Sequence, residues 1–315
     1  MVHFQSSEDK NLPKTIPKFN FKLPIVASIF FVLLLFIFLT GKDRNPSLNS
    51  LGNEVIKNAF DTGSFYNEEL FYKGIYESQG NTIQEIRAVI LPHHLLATVF
   101  IAESLKSISD KMPVIILIGP NHSEKGEDKF IISDNNWSTP FGIVYSDENI
   151  IASLLQNDLT GKDDATVTQE QSVLGIIPYI KYIIPDAKVV PMIVKHDASS
   201  SDVESVSETI YKIMSGNKHV ILIASIDFSH YLRSMDALEK DEETLKAINE
   251  RNYSQILSYD NDHLDSPVSL ALLLKSLEKL GKYDIKILDH SNSSILMKKD
   301  SSETTSYFSI VLTTD

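Results

Sequence analysis

Three short polar segments each follow an apolar β-type run, and each carries histidine. They are Pro92-His93-His94, Gly119-Pro120-Asn121-His122 and Asp227-Phe228-Ser229-His230. In an open α/β sheet the carboxyl ends of the strands meet along one edge, where binding crevices form. Neutral imidazole is the commonest nitrogen ligand for zinc, iron and copper, so three histidine loops on one edge point to a metal site. A lone histidine after a strand is more often a hydrogen-bonded structural residue, and it is the coincidence of three that reverses the weighting. A fourth segment, Asp262-His263-Leu264-Asp265-Ser266-Pro267, precedes an apolar helix. Asp or Ser before Pro reads as an N-cap; the same segment also supplies carboxylate. Two histidines and one carboxylate on one face form the facial triad of non-haem Fe(II) enzymes, which leaves positions open for substrate. His3, His196, His219 and His290 have no partner motif and read as incidental.

These loops need a sheet to hold them. Ala88–Leu91, Val114–Ile118, Val189–Val194 and Val220–Ala224 are continuous apolar runs, the pattern of strands buried on both faces. Helical spacing is expected over Ala97–Ile108, Asp147–Gln156, Asp202–Met214 and Met235–Arg251. Pro267–Lys279 reads as a strongly apolar helix, and further strands are expected near Ile285–Leu288 and Tyr307–Leu312. The alternation predicts an α/β domain over residues 60–315, a central, mostly parallel sheet flanked by helices.

Upstream, residues 23–39 read LPIVASIFFVLLLFIFL, an uncharged apolar run at the lower length limit for spanning a bilayer. Lys10, Lys14, Lys18 and Lys22 precede it, and the charges just after it nearly cancel. The positive-inside bias then makes residues 1–22 a cytoplasmic basic tail, 23–40 a single-pass signal anchor, 41–59 a linker, and the domain extracytoplasmic. Thr40-Gly41-Lys42 is not a cleavage signature, which favours an uncleaved anchor over a signal peptide.

The chain has 315 residues, a formal net charge of −13 and no cysteine. Thiolate ligands, disulfides and a cysteine nucleophile are thereby excluded. The acidity, without a basic stripe in the domain, argues against nucleic-acid binding. No Rossmann glycine fingerprint, P-loop or nucleophile elbow is present.

The order of the motifs resembles the Memo-like family, which includes the AmmeMemoRadiSam system protein B group. Gly63-Ser64-Phe65-Tyr66 is similar to its G-x-F-Y, Leu91-Pro92-His93 to its P-H-A-G-Y strand end, and Ile118-Gly119-Pro120-Asn121-His122 to L-G-P-x-H. Trp137-Ser138-Thr139-Pro140-Phe141-Gly142 is similar to W-x-T-P-L-G, Glu170-Gln171-Ser172 with Pro178-Tyr179-Ile180 to E-H-S and P-F-L, and Ala224 to Tyr231 to S-S-D-F-S-H-Y. The resemblance implies a fold similar to the class III extradiol (LigB-type) dioxygenases. It implies His93 and His122 as metal ligands and Asp227 and His230 as site residues. Four departures stand out: His94 and Leu95 replace an Ala-Gly pair, Gln171 replaces a histidine, Leu174 replaces a glutamate, and the Cys-Gly before the late helix is absent. For the third ligand Asp265 is favoured and His263 is the runner-up, since alignment of the helix permits either. With an oxygen or nitrogen donor there, the expected cofactor is a divalent metal, Fe(II) first and Zn(II) as the alternative. In that reading His230, oriented by Asp227, moves a proton, and Glu170 supports a ligand histidine. The expected partner is a small molecule or peptide in the cleft. The alternatives are a binding module that keeps the cleft without catalysis, favoured by Gln171 and Leu174, and a Zn(II)-dependent hydrolase.

Overall fold

The computed structural model describes residues 59–299 and 301–314. The tail 1–22, the anchor 23–40 and all but the last residue of the linker 41–59 lie outside the described residues. Among the described residues, no helix is long and apolar enough to cross a membrane.

The strands are β1 (Ala59–Asp61), β2 (Ile86–Leu91), β3 (Val114–Pro120), β4 (Phe130–Ile132), β5 (Asn136–Thr139), β6 (Gly142–Val144), β7 (Thr160–Lys162), β8 (Lys188–Val194), β9 (Val220–Ser225), β10 (His230–Leu232), β11 (Tyr283–Asn292) and β12 (Thr304–Thr314). The principal helices are α1 (Glu68–Glu77), α2 (Thr98–Lys106), α3 (Glu148–Leu154), α4 (Ile177–Ile183), α5 (Ser200–Gly216), α6 (Ser234–Asn249) and α7 (Pro267–Leu280). Nine strands form the main sheet in the order β10-β12-β2-β9-β3-β8-β4-β7, with β11 along the other side of β12, and β1-β5-β6 form a small second sheet.

The α/β expectation holds, but "mostly parallel" does not describe the sheet, which is mixed. Strands β2, β9, β3 and β8 are parallel neighbours. The C-terminal strands add antiparallel pairs, β11 on β12 and β12 on β2, and β4 runs antiparallel to β8. The reason is connection length. A parallel return needs a crossover of a dozen or more residues, usually helical, whereas residues 293–303, with only the short helix Ser293–Met297 among them, turn β11 back onto β12.

The continuous apolar strands serve two cores. In β3, Val114, Ile116 and Ile118 point into the layer covered by α5 and α7, while Ile115 and Leu117 face the layer of α1, α2 and α4. The period-2 alternation of side chains is therefore apolar on both faces. Helix α7 closes one layer. Ser266 caps it, with Oγ accepting from the Ser269 N–H, Pro267 opens its first turn, and Leu270 through Leu274 are fully buried. Its cap and its apolar run fix where the residue just before it, Asp265, must lie.

Candidate metal centre

The register of the parallel strands brings the site together. Ile90 of β2 and Ile118 of β3 both pair with Ala224 of β9, so the three chains leave the sheet at one level. A few residues beyond lie His93, His122 and Asp227. The loops are tied to one another: Asp227 Oδ1 accepts from the N–H groups of His93 (3.1 Å) and His94 (3.4 Å). Asp265 joins through the backbone, its N–H donating to the Asp227 carbonyl at 3.0 Å, beside a bridge between Phe228 and Leu264.

The imidazoles are oriented from behind. His93 Nδ1 lies 3.3 Å from the Ser225 carbonyl, which can only accept, so Nδ1 carries the hydrogen and the Nε2 lone pair faces inward. His122 Nδ1 lies 2.7 Å from Glu170 Oε1, while Oε2 accepts the His122 N–H at 2.9 Å, which again leaves Nε2 facing the cluster. Glu170 is itself fixed as the cap of the short helix Gln171–Leu174, accepting from the Ser172 N–H. Between the two rings, Asp265 Oδ2 stands 3.2 Å from His93 Nε2 and 4.0 Å from His122 Nε2. Donor atoms of His93, His122 and Asp265 all lie within 4.8 Å of one another, as do those of Asp227, His230 and Asp265.

The donor set fits a divalent ion by a direct observation: Asp265 Oδ1 is buried and has no hydrogen-bond partner. An orphaned buried carboxylate oxygen costs on the order of 1–3 kcal/mol unless a cation takes it up. Electrostatics agree. Burial, with Asp227 adding negative charge, holds the Asp265 carboxyl well above the usual carboxylate range. Burial also lowers His93, against the pull of Asp227, and so favours the neutral, ligating form. The hydrogen bond that His122 donates to Glu170 raises the His122 pKa. For Glu170, burial acts upward, but the His122 hydrogen bond and charge outweigh it and the carboxyl is lowered. Tied Nδ1–H groups behind inward-facing Nε2 atoms are the usual outer support of metal-bound histidines.

Glu170→Gln keeps the cap and one acceptor but removes the charge behind His122. Affinity for a divalent ion should then fall by about 10–100-fold. An unchanged dissociation constant in a competition titration would show that Glu170 serves only the helix cap.

Other expectations are redistributed. His263, the runner-up ligand, is outside the cluster: its Nε2 pairs with Glu243 at 2.9 Å and its ring stacks on Tyr259 at 3.8 Å. His230, half-buried on β10, has its Nδ1 buried without a partner, and burial lowers its pKa against the pull of Asp227. The expectation that Asp227 orients it is corrected. No hydrogen bond joins the two side chains, because the Asp227 Oδ1 atom is taken by backbone N–H groups on the β2 loop. Of the departures, Gln171 is exposed, Leu174 is fully buried in the core, and His94 stacks on Tyr307 with Nδ1 2.7 Å from its hydroxyl. None is a member of the metal trio. His290, incidental by its sequence context, has its Nε2 2.8 Å from Asp241, which also accepts from Ser229 Oγ at 2.6 Å. Neither Asp241 nor the Ser225 carbonyl left a signal in the sequence, one being a single acid on a charged helix and the other a backbone atom.

Beside Asp265 opens a cleft of about 570 Å³, walled by Leu257, Tyr259, Leu264 and Pro267 and rimmed by Asp260 and Asp262. A larger hollow of about 970 Å³ lies away from the histidines, at Asp134, Asp147 and Lys188. Its acids pair with lysines, Lys188 with Asp147 at 3.0 Å and Lys162 with Asp134 at 2.9 Å, so the smaller cleft is the one joined to the chemistry.

The sequence profile of the family described as Memo-like protein matches residues 61–311. A MEMO1 family protein of Thermotoga neapolitana is 27% identical over 206 residues, covering 64% of this chain and 72% of its own. One from Saccharolobus islandicus is 29% identical over 151 residues, 46% of this chain and 53% of its own. The crystal structure of an uncharacterized protein from Escherichia coli K12 is similar with a TM-score of 0.49 and 11% identity, over 73% of this chain and 100% of that one.

Proposed function

The chain belongs to the Memo-like protein family, and on that premise we propose that it is a metal-dependent oxidoreductase whose divalent ion is held by His93, His122 and Asp265. The observation that supports this most is the convergence of two Nε2 atoms, each with its Nδ1–H tied from behind, on a buried carboxylate with an unsatisfied oxygen. Fe(II) is the first candidate and Zn(II) the second, because the donors are imidazole and carboxylate with no thiolate. Bound iron would supply one-electron and dioxygen chemistry, whereas bound zinc would supply a Lewis acid.

The chain's own residues define what surrounds the reaction. His230 stands beside Asp265, and burial lowers its pKa, which favours the neutral ring that a proton acceptor needs. Leu257, Tyr259 and Leu264 give the cleft an apolar wall suited to a small molecule or a peptide side chain. A metal-free binding module on the same fold is the competing reading, and it leaves the tied histidines and the orphaned oxygen without a purpose. Full-length protein, purified anaerobically in detergent, is expected to carry close to one equivalent of iron by elemental analysis. Zinc in its place, with no redox response, would move the assignment to hydrolysis. No bound metal after reconstitution would leave the binding module.

The proposal also keeps the domain outside the cytoplasm on the anchor of residues 23–40, a reading supported by the sequence alone. Protease added to intact cells should then digest a C-terminally tagged chain; full protection would reverse the orientation.

A further inference from the structure

We propose that the site takes a second divalent cation beside the first, on Asp227, His230 and Asp265, with the Asp265 carboxylate bridging the two. The inference rests on the reading of His93, His122 and Asp265 as the first metal position. Two overlapping groups have their donor atoms within 4.8 Å, and Asp265 is common to both.

Asp265 is shared by the two groups, while the side chains of Asp227 and His230 are not used by the first. Asp265 Oδ2 faces His93, while Oδ1 is buried without a partner on a side chain only 8% exposed. His230 Nδ1 is likewise buried and makes no well-formed hydrogen bond, although the Phe228 backbone lies close enough to raise its pKa. On Asp227, Oδ1 accepts two backbone N–H groups, which fixes the carboxylate, and Oδ2 lies 3.7 Å from His93 Nε2, beyond hydrogen-bond range. Buried polar atoms are nearly always partnered, so two orphans inside one donor group call for a ligand that accepts both a lone pair from imidazole and one from carboxylate. A cation does so, and a water molecule would have to donate to both.

Charge points the same way. Asp227, Asp265 and Glu170 have side chains 5%, 8% and 6% exposed, and three buried carboxylates exceed the charge of one divalent ion. Two-metal sites place their ions about 3.5–4 Å apart, and a carboxylate common to both donor groups has the span to bridge them. The second position offers one imidazole and two carboxylates, a hard set suited to Mn(II), Fe(II) or Zn(II). Its bridging ligand is shared, so it is the weaker of the two. Filling it would occupy the His230 lone pair and withdraw that residue from proton transfer.

The test counts ions. Full-length protein in detergent is dialysed to equilibrium against graded Mn(II), and bound metal is measured by elemental analysis alongside the electron paramagnetic resonance spectrum. Wild type should saturate at two ions per chain in a tight and a weak step, with a spin-coupled manganese spectrum at saturation. Asp227→Asn keeps the acceptor for the His93 and His94 N–H groups, and His230→Gln keeps the volume of the ring's inner half; each should saturate at one ion with no coupled signal. Saturation of wild type at one ion overturns the inference and leaves the first site standing. Two ions that persist in both variants overturn it as well, because the second would then sit elsewhere. No bound manganese, iron or zinc at all would remove the metal reading on which the inference rests.

Discussion

Replacing His93 with alanine is expected to strip the protein of its divalent ion while leaving the fold in place. Structural zinc sites bind with apparent free energies of about 10–16 kcal/mol, and by that scale one ligand of three carries about 3–5 kcal/mol. That corresponds to a loss of affinity of roughly a hundredfold to a few thousandfold. The His93 ring makes one hydrogen bond to the Ser225 carbonyl and otherwise faces the acidic cluster, and the loop itself is tied by backbone N–H groups that alanine retains. Binding should therefore fall without a comparable fall in thermal stability of the metal-free protein. His93→Gln, which keeps a polar group near the Ser225 carbonyl, separates ligand loss from cavity formation. Should His93→Ala retain near-stoichiometric metal through dialysis against a chelator, the assignment of the centre to this trio is wrong. A parallel loss in Asp265→Asn, with metal retained in His263→Ala, would establish which residue replaces the absent cysteine of the family's pattern.

The parts of this architecture that could be read from the sequence are those with a local physical cause. His93 and His122 end runs of buried strand, and Asp265 stands just before a capped, Pro-initiated helix. Such positions are dictated by strand burial and helix capping, which short windows reveal. Glu170 was legible only through its motif, since a cap residue on a four-residue helix has no periodicity of its own. Strand direction was not legible. Ile285–Leu288 and Tyr307–Leu312 read correctly as strands, but nothing in an apolar run tells whether its neighbour runs with or against it. Strands β4 to β7, of three or four residues each, are too short for alternation to show. The orientation of His230 failed for another reason. Sequence proximity to Asp227 suggested a pair, whereas the long-range contact between the β9 and β2 loops claimed the aspartate.

That long-range character also predicts where the site is vulnerable far from its metal ligands. Asp241, on α6, is 1% exposed and sits beneath the segment that carries His230. One oxygen accepts from Ser229 Oγ at 2.6 Å and the other lies 2.8 Å from His290 Nε2, whose ring stacks on Phe308 at 3.9 Å. His290→Ala removes the ring and leaves the carboxylate with the hydroxyl as its remaining side-chain partner. Stranding a buried charge in this way costs about 3–5 kcal/mol. For a domain of this size that is a drop in melting temperature of roughly 10 °C. Asp241→Asn in the same background removes the stranded charge, so the double variant should be more stable than His290→Ala alone, a sign reversal that loss of stacking cannot produce. Neither residue touches the metal trio, and metal stoichiometry at the first position should survive in both variants. A His290→Ala protein that melts within 1 °C of wild type would show that Asp241 is satisfied by Ser229 alone. The loop carrying His230 would then be held by its backbone bonds, Phe228 N–H to the Ser306 carbonyl and His230 N–H to the Asn261 carbonyl, without help from the buried pair.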